Sequence, residues 1–289
     1  MEEVKITVLV TTCDRYETTL PLCLLSIINQ TKLPQRIILV DDSKIKKFYS
    51  YQILKHIITI CKFKNIVFDY YHGESKGMVP AIKLGLEKIN DGWVYKIDDD
   101  NVLEPNVFEF LCEDITDKVG AIGGIFIDKN SIEEYERTEF YNRMEDIFFN
   151  LNIQMIANQS CKIKQVEHLY SNYFFRKGIE ELHPENLNPS GHREDTIFTY
   201  SIFKKGYQII VNPKAKIYHL DIENEDGNRI YRGEQENKNE LIFLNKLKEW
   251  QIIPNKFRIF IKNGFIVLEK SNKMYSTHIK VDNNYLLSI

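Results

Sequence analysis

The sequence is poor in cysteine and has no long apolar run. Its five cysteines are irregularly spaced, and no two of them form a CxxC pair. An odd number of scattered cysteines argues against a disulfide framework or a zinc site and favours reduced thiols in the cytoplasm. No apolar stretch approaches the roughly 18 residues that a membrane-spanning helix needs. We therefore expect a cytoplasmic protein, which leaves peripheral contact with the inner face of the membrane open.

The sequence also lacks an excess of charge of either sign. It has 38 Lys and Arg residues against 41 Asp and Glu residues, so its formal net charge is −3. Without a basic excess, no nucleic acid is expected as a partner. With 289 residues, 43% of them hydrophobic, the chain is long enough for one large α/β domain with an appendage. The composition predicts no oligomeric state.

Short β-branched runs alternate with helical patterns in the first half of the chain. Apolar runs at 6–10, 36–40, 66–70 and 94–97 predict four buried strands. Between these runs, apolar residues recur at the spacing of amphipathic helices. Apolar strands that alternate with helices predict an α/β fold, with a mostly parallel central sheet and helices on both faces.

The second half is less regular. Strands are predicted at 121–127, 208–211 and 216–219, and an extended segment is predicted over 166–175.

Beyond these strands, the chain predicts a separate C-terminal appendage. A helical pattern over 234–250 precedes two β-rich runs, 257–262 and 265–270, which flank an Asn-Gly turn and predict a β-hairpin. We therefore divide the chain into a main domain over 1–232 and a small helix and β-hairpin appendage over 233–289.

Polar and acidic residues follow the predicted strands where each strand ends. Thr11 and Asp14 follow the first strand, Asp42 follows the second, and a run of three aspartates, Asp98 to Asp100, follows the fourth. The carboxyl ends of parallel strands meet at one edge of a sheet, which is where α/β folds bind ligands. We therefore expect these side chains to form one site.

The three aspartates predict a divalent metal ion. Adjacent like charges at the end of a buried strand cost free energy unless a cation or hydrogen bonds offset them. Carboxylates are the ligands that Mg²⁺ and Mn²⁺ prefer. In an extended segment Asp98 and Asp100 project to the same side, while Asp99 points away. A solvated turn, or a cap for the segment that begins at Pro105, is the structural alternative.

Four segments with these features resemble the family 2 glycosyltransferases of the GT-A fold. They are residues 6–15, 30–43, 95–105 and 192–195, and the resemblance spans about 4–220. It implies the GT-A (nucleotide-diphospho-sugar transferase) fold, with a nucleotide-binding half over about 1–105 and an acceptor half over about 106–232.

The resemblance also implies an activity. It is transfer of a sugar from a nucleotide-diphosphate sugar, with a UDP-sugar as the expected donor, to a hydroxyl acceptor with inversion at the anomeric carbon. The expected cofactor is Mn²⁺ or Mg²⁺, held at a DXD-type motif. The acceptor is left open among a glycan, as in polysaccharide biosynthesis, a lipid-linked glycan and a protein.

Site residues follow from the resemblance by position. The loop after the first strand and the aspartate after the second hold the nucleoside, and these positions correspond to Thr11, Asp14, Arg15 and Asp42. Metal and diphosphate binding falls to Asp98 and Asp100, and Asp99 contacts the nucleotide or the sugar. Here Asp14 stands where family members often have Asn, and Ala81-Ile82-Lys83 stands where they often have Ala-Arg-Asn.

Four further residues have a functional and a structural interpretation each. Glu194 and Asp195 correspond to the family's Glu-Asp pair near the acceptor, with Asp195 as the general base, but both would also suit the first turn of a helix. His219 is either a third metal or phosphate ligand or a structural histidine. Lys76, beside Gly77, either adds positive charge near the phosphates or is solvated.

Two other function classes compete with sugar transfer. A non-catalytic nucleotide-sugar-binding protein would need the metal cluster but not the base. Residues 73–77 fit the G-x-S-x-G pattern, and Ser75, Asp195 and His219 follow the order of a hydrolase triad. That pattern requires a helix to begin directly at the serine, however, and here Met78-Val79-Pro80 intervene. The sequence also has no HGGG-like oxyanion segment.

Overall fold

The computed structural model describes residues 4–74, 76–127, 163–181 and 193–220. It also describes residues 239, 242–243, 245–246 and 249, and strands over 258–262, 265–270 and 273–280. The chain forms two compact units, Met1–His183 with Asp195–Glu223 and Pro184–Glu194 with Asn224–Ile289. The boundary predicted after residue 232 lies outside the described residues and stays a prediction.

The described part of the first unit contains strands and helices in alternation. Its strands are β1 (Ile6–Thr12), β2 (Arg36–Asp41), β3 (Val67–His72), β4 (Trp93–Asp98), β5 (Asn101–Leu103), β6 (Val119–Ile127), β7 (Lys164–Val166), β8 (Tyr173–Arg176) and β9 (Gln208–His219). Its helices are α1 (Thr19–Ile28), α2 (Gln52–Phe63), α3 (Met78–Leu86) and α4 (Val107–Glu113). Helix α5 (Glu194–Lys204) begins at the last residue assigned to the second unit.

These strands form one mixed sheet in the order β3-β2-β1-β4-β8-β6-β9-β5, with β7 paired to β9. Strands β3, β2, β1 and β4 are mutually parallel, which confirms the mostly parallel sheet predicted for the first half. Strand β8 runs antiparallel to both β4 and β6. The register pairs Thr11 with Asp98 and Thr12 with Asp41, so the acidic strand ends meet at one edge.

Two hydrophobic clusters lie on the two faces of this sheet. Val8 and Val10 of β1 pack in one cluster with the buried residues of α1, α2 and α4. Leu9, between them, points the opposite way and packs in the second cluster with residues of α3 and α5. The predicted helices on both faces are therefore confirmed. No described helix is long and apolar enough to cross a bilayer.

The two short strands predicted at 208–211 and 216–219 are one strand, β9. Pro213 lies between them and lacks the N–H that a regular ladder uses. The ladder with β6 shifts register between Gly123 and Ile125, opposite this segment, and the strand continues through the irregularity. The predicted extended segment 166–175 is interrupted, because a bend at Ser171 and Asn172 separates β7 from β8.

In the second unit, strands β10 (Arg258–Lys262) and β11 (Phe265–Lys270) pair antiparallel, which confirms the predicted hairpin. A third strand, β12 (Lys273–Lys280), pairs with β11 and was not predicted. Within the predicted helix 234–250, the described positions are helical. The other residues of that prediction lie outside the described part of the chain.

Candidate functional site

Asp42 lies at the carboxyl end of β2 in a cradle of backbone N–H groups. The N–H of Lys76 donates to Asp42 Oδ1 at 2.9 Å, and the N–H of Gly77 donates to Oδ2 at 2.5 Å. Gly77 has φ of 101°, a conformation that favours glycine. A Cβ at Gly73 would lie 2.7 Å from Asp42 Oδ1, so this position also needs a glycine. Burial raises the pKa of Asp42, and the two N–H groups oppose that rise.

The preceding residue, Asp41, is fully buried and supports this loop. Its Oδ2 accepts hydrogen bonds from the hydroxyls of Tyr16 and Tyr70, each at 2.7 Å. Its Oδ1 accepts from the backbone N–H of Ser43 at 3.0 Å. Asp42 is the residue that the sequence predicts to bind a ligand. Asp41, its neighbour, instead holds the loop in place through these hydrogen bonds.

The loop after β1 approaches the same edge. Thr11 is buried in β1, and the N–H of Asp14 donates to Ser43 Oγ at 2.8 Å. Asp14 has φ of 55°, the left-handed region that Asn and Asp adopt more readily than most residues. An Asp at this position is therefore compatible with the left-handed backbone that the loop adopts.

Arg15 joins the last two aspartates of the acidic run. Its Nη1 donates to Asp99 Oδ1 at 2.7 Å and to Asp100 Oδ2 at 2.8 Å. The hydroxyl of Thr12 donates to Asp99 Oδ2. Burial raises the pKa of Asp99 to about 6, although Arg15 and Thr12 both lower it. Thr12 was not predicted as a site residue.

The three aspartates do not alternate as a strand would. Strand β4 ends at Asp98, and Asp99 and Asp100 form a turn before β5. Asp99 and Asp100 therefore share one partner, Arg15, while Asp98 contacts other residues. The expectation that Asp99 points away from the other two is wrong, because it assumed that the strand continued.

Asp98 and Asp195 share a buried lysine. Lys96, 2% exposed, places its Nζ 3.1 Å from Asp98 Oδ1 and 2.9 Å from Asp195 Oδ1. The Tyr173 hydroxyl also donates to Asp195 Oδ1, at 2.9 Å. Burial raises the pKa of Asp98, and the Lys96 charge opposes that rise.

Ser171 connects the same two carboxylates a second time. Its N–H donates to Asp195 Oδ2 at 2.8 Å, and its hydroxyl donates to Asp98 Oδ2 at 2.9 Å. The φ of Ser171 is 63°, so a left-handed backbone aims both donors. Asp195 is the second residue of α5, but it is buried next to Asp98 at the edge of the sheet and is not solvated.

His219, the last residue of β9, lies beside Asp100. The two are brought together because β9 pairs with β5, and His219 Nε2 lies 3.8 Å from Asp100 Oδ1. An imidazole nitrogen and a carboxylate oxygen suit a divalent transition metal such as Mn²⁺. Within the described ranges, no group of three or more His, Cys, Asp or Glu side chains forms a metal site. Two protein ligands fit an ion whose remaining ligands are substrate phosphates and water.

Three other predicted residues differ in how the structure places them. Glu194 is buried and is the first residue of α5. The Lys76 ammonium is exposed and pairs with Glu74 at 2.9 Å, so its backbone N–H, not its charge, contacts the site. Ser75 lies outside the described residues, and α3 begins only at Met78. His219 lies beside Asp100, and Asp195 contacts Lys96. The hydrolase triad, which needs Ser75, lies partly outside the described residues and stays a prediction.

Besides Thr12, sequence reasoning missed Lys96, Ser171 and Tyr173. Lys96 carried a usable indication, because a lysine inside a buried apolar strand needs a charged partner. Ser171 and Tyr173 carried none, since their partners are distant in sequence.

Comparison with solved structures identifies the class of fold. PcManGT, a mannosyltransferase from Pyrobaculum calidifontis solved with GDP-Man and Mn²⁺, is 14% identical with a TM-score of 0.57, over 84% of this chain and 65% of that one. GalNAc-T7, solved with UDP, GalNAc and Mn²⁺, is 13% identical with a TM-score of 0.58, over 94% of this chain and 67% of that one. Staphylococcus aureus TarS is 13% identical with a TM-score of 0.51, over 94% of this chain and 60% of that one. The fold is therefore GT-A, as the resemblance implied.

A family profile then identifies the chain more narrowly. The profile described as Glycosyl transferase family 2 matches residues 7–182, so the chain belongs to that family. This confirms the resemblance and the predicted enzyme class. Direct sequence comparison with curated proteins gives no match. The chain spans less than two thirds of the length of PcManGT and of TarS.

Proposed function

We propose that the protein is a metal-dependent inverting glycosyltransferase that moves a sugar from a nucleotide-diphosphate sugar to a hydroxyl acceptor. The main support is the meeting of Asp42, Asp100 and Asp195 at the edge of the mixed sheet where its parallel strands have their carboxyl ends. That edge is where α/β folds bind ligands.

The nucleoside would bind between the loops that follow β1 and β2. The Asp42 carboxylate, fixed by two backbone N–H groups, would accept hydrogen bonds from the base. Thr11, Asp14 and Arg15 would line the opposite side. The neighbouring structures contain a guanine nucleotide in one case and a uracil nucleotide in another, which supports a nucleotide sugar without choosing the base. A UDP-sugar stays our proposed donor.

Asp100 and His219 would hold the divalent cation, Mn²⁺ or Mg²⁺. A bound dication stabilises the negative charge that develops on a leaving diphosphate. For Asp98 to bind the ion as well, its Oδ1 would have to exchange the Lys96 ammonium for the metal. Arg15, which contacts Asp99 and Asp100, lies where it would meet the diphosphate.

Asp195 would act as the general base. It would take the proton of the acceptor hydroxyl as that oxygen forms a bond to the anomeric carbon and the bond to the nucleoside diphosphate breaks. A single displacement inverts the anomeric configuration. The acceptor oxygen would approach Asp195 in place of one of its present donors, and Glu194, at the start of α5, would lie on the acceptor side.

Thermal unfolding with a panel of UDP-, GDP-, CMP- and dTDP-sugars tests donor binding. With Mn²⁺ present, one nucleotide class should raise the melting temperature by about 5 °C at roughly 100 times its Kd. Asp100→Asn should remove the metal-dependent part of the shift. Asp91→Asn, which removes an exposed carboxylate outside the site, should keep it.

Two outcomes would contradict parts of this proposal. If no nucleotide sugar shifts the melting temperature, the protein does not bind such donors. If the donor binds but no sugar is transferred or hydrolysed, the protein is a nucleotide-sugar-binding protein rather than an enzyme.

A further inference from the structure

One segment of the first unit carries positive charge without any acidic residue. Between Ser43 and Phe68 there are six lysines and neither Asp nor Glu, in a chain whose acidic residues outnumber its basic ones overall. The segment forms the loop after β2, a short 3-10 turn (Phe48–Ser50) and helix α2. We call its exposed side the lysine surface, and its lysines are Lys44, Lys46, Lys47, Lys55, Lys62 and Lys64.

All six lysines are exposed, and none lies within ion-pair distance of a carboxylate in the described residues. The acids that flank the segment have other partners. Asp42, two residues before Lys44, is held by the backbone N–H groups of Lys76 and Gly77, and Asp69, which follows the segment, pairs with Arg36 at 2.6 Å. The positive charge of the lysine surface is therefore uncompensated by the described chain.

Apolar side chains are exposed between these lysines. Phe63 is 81% exposed, Ile45 58%, Tyr49 53% and Ile53 42%. These exposed side chains are not needed to attach the segment to the hydrophobic core, because other residues of the segment do so. Phe48 is buried and stacks on Tyr70 with ring centroids 4.6 Å apart, and the opposite side of α2 is buried through Leu54, Ile57 and Cys61.

We propose that the lysine surface binds the surface of an anionic lipid bilayer. Clustered lysines attract anionic headgroups, and apolar and aromatic side chains among them enter the headgroup boundary. Stable peripheral binding generally takes two such contributions, and both occur here on one segment. The surface has no arginine, the residue that grips phosphates and bases bidentately, so a nucleic acid is the weaker candidate.

Helix stability explains only a small part of the pattern. A lysine in the last turn of α2, Lys62, interacts favourably with the helix dipole, and Lys64 just beyond it does so too. The dipole does not explain three lysines in the preceding loop or a phenylalanine in contact with water. The proposal does not depend on sugar transfer, since it concerns a different ligand. Lys44, Lys46 and Lys47 follow Asp42 in the loop after β2, so donor binding by their triple variant is measured beside flotation.

Vesicle flotation of the full chain tests this directly. The protein should float with vesicles of phosphatidylcholine containing about one third phosphatidylserine and not with pure phosphatidylcholine, and added salt should weaken binding. Replacing Lys44, Lys46 and Lys47 together by Gln should lower the partition coefficient roughly 100-fold. The matched control replaces three exposed lysines elsewhere, Lys118, Lys204 and Lys214, by Gln and should bind like the wild type.

A second variant separates lipid binding from simple attraction to any polyanion. Phe63→Ser should weaken flotation about 10-fold, because the exposed ring would otherwise enter the bilayer. Equal binding to neutral and anionic vesicles, or equal loss in both triple variants, would overturn the proposal. So would unchanged flotation of Phe63→Ser together with tight binding to single-stranded DNA, which would identify the lysine surface as a nucleic-acid site. None of these three results would contradict donor binding.

Discussion

Two regions of the first unit contain clustered like charges, and they differ in whether the protein itself compensates those charges. We call the first the acidic edge: Asp42, Asp98, Asp99, Asp100 and Asp195. Each of its carboxylates accepts a hydrogen bond or meets a cation within about 3 Å. On the lysine surface no ammonium has a carboxylate partner in the described residues. Buried charges must be compensated by the fold because desolvation is costly, whereas water and salt compensate exposed ones.

The acidic edge is itself divided between two cations. Lys96 is 2% exposed and joins Asp98 to Asp195, while Arg15 is 27% exposed and joins Asp99 to Asp100. The two cations differ in exposure, whereas the Asp98 and Asp100 side chains are exposed alike, 18% and 16%. A dication with substrate phosphates would therefore have to compete with a buried ammonium at Asp98 and with a more exposed guanidinium at Asp100.

The largest expected effect follows from removing the base. Asp195→Asn should lower the rate of sugar transfer or donor hydrolysis by about 10²–10⁴-fold, while the nucleotide-induced shift in melting temperature stays. The comparison with Asp100→Asn, which should lose the metal-dependent part of that shift, separates the two halves of the acidic edge. A variant Asp195→Asn with normal turnover would show that another group takes the proton.

Removing each cation in turn should reveal how differently the two halves are built. Lys96→Met leaves the buried Asp195 and the partly buried Asp98 without their ammonium and should lower the free energy of unfolding by about 3–5 kcal/mol. Arg15→Met leaves the buried Asp99 without its cation, but that carboxyl has a raised pKa and can take up a proton, so the loss should be smaller, about 1–2 kcal/mol. Urea denaturation of both variants measures the difference. Equal losses would contradict this difference between the two cations.

The raised pKa of Asp99 predicts a pH-dependent stability. Because its folded pKa is about 6, above the ordinary value of 3.8, the folded chain holds a proton that the unfolded chain has released between these values. Stability from this group is therefore lost as the pH rises from about 4 to 6, by up to about 3 kcal/mol. Asp99→Asn lacks this titration.

Urea denaturation of wild type and Asp99→Asn at several pH values, with a chelator present, isolates the effect. As the pH rises from about 4 to 6, the wild type should lose stability relative to Asp99→Asn. A difference that is constant with pH would mean that Arg15 and Thr12 fully offset the burial of Asp99.

A smaller effect tests the backbone cradle of Asp42. Gly77→Ala forces a side chain into a left-handed backbone and should cost about 1–2 kcal/mol. Gly178→Ala is a matched control, because Gly178 has a similar φ of 95° and open space around it. Both variants should lose similar stability, but only Gly77→Ala should weaken nucleotide binding in calorimetry. Equal nucleotide binding by both variants would show that the backbone conformation of Gly77 does not matter for donor binding.

The sequence was sufficient for the parallel half of the sheet because its information is local. Apolar runs define β1, β2, β3 and β4, and residues such as Asp42 and Asp98 directly follow their strands. The C-terminal hairpin was predictable for the same reason, since its turn lies between its two strands.

The interior of the site was not predictable, because it depends on pairing between distant segments. Lys96 meets Asp195 only because α5 and the β8 region pack beside β4, across 99 positions of sequence. The turn at Asp99 and Asp100 was predicted only as an alternative, because the same three aspartates suit an extended run and a turn equally well. The role of Asp41 depends on two tyrosines that no periodicity links to it.

The most direct test of the central claim is proton NMR of nucleotide sugars incubated with the protein and Mg²⁺. One donor should be consumed, its nucleoside diphosphate should appear, and the first sugar product should carry the opposite anomeric configuration to the donor. Addition of a chelator should stop the reaction. A panel in which no donor is consumed, or a product that retains the donor's configuration, would contradict the assignment of an inverting, metal-dependent transferase.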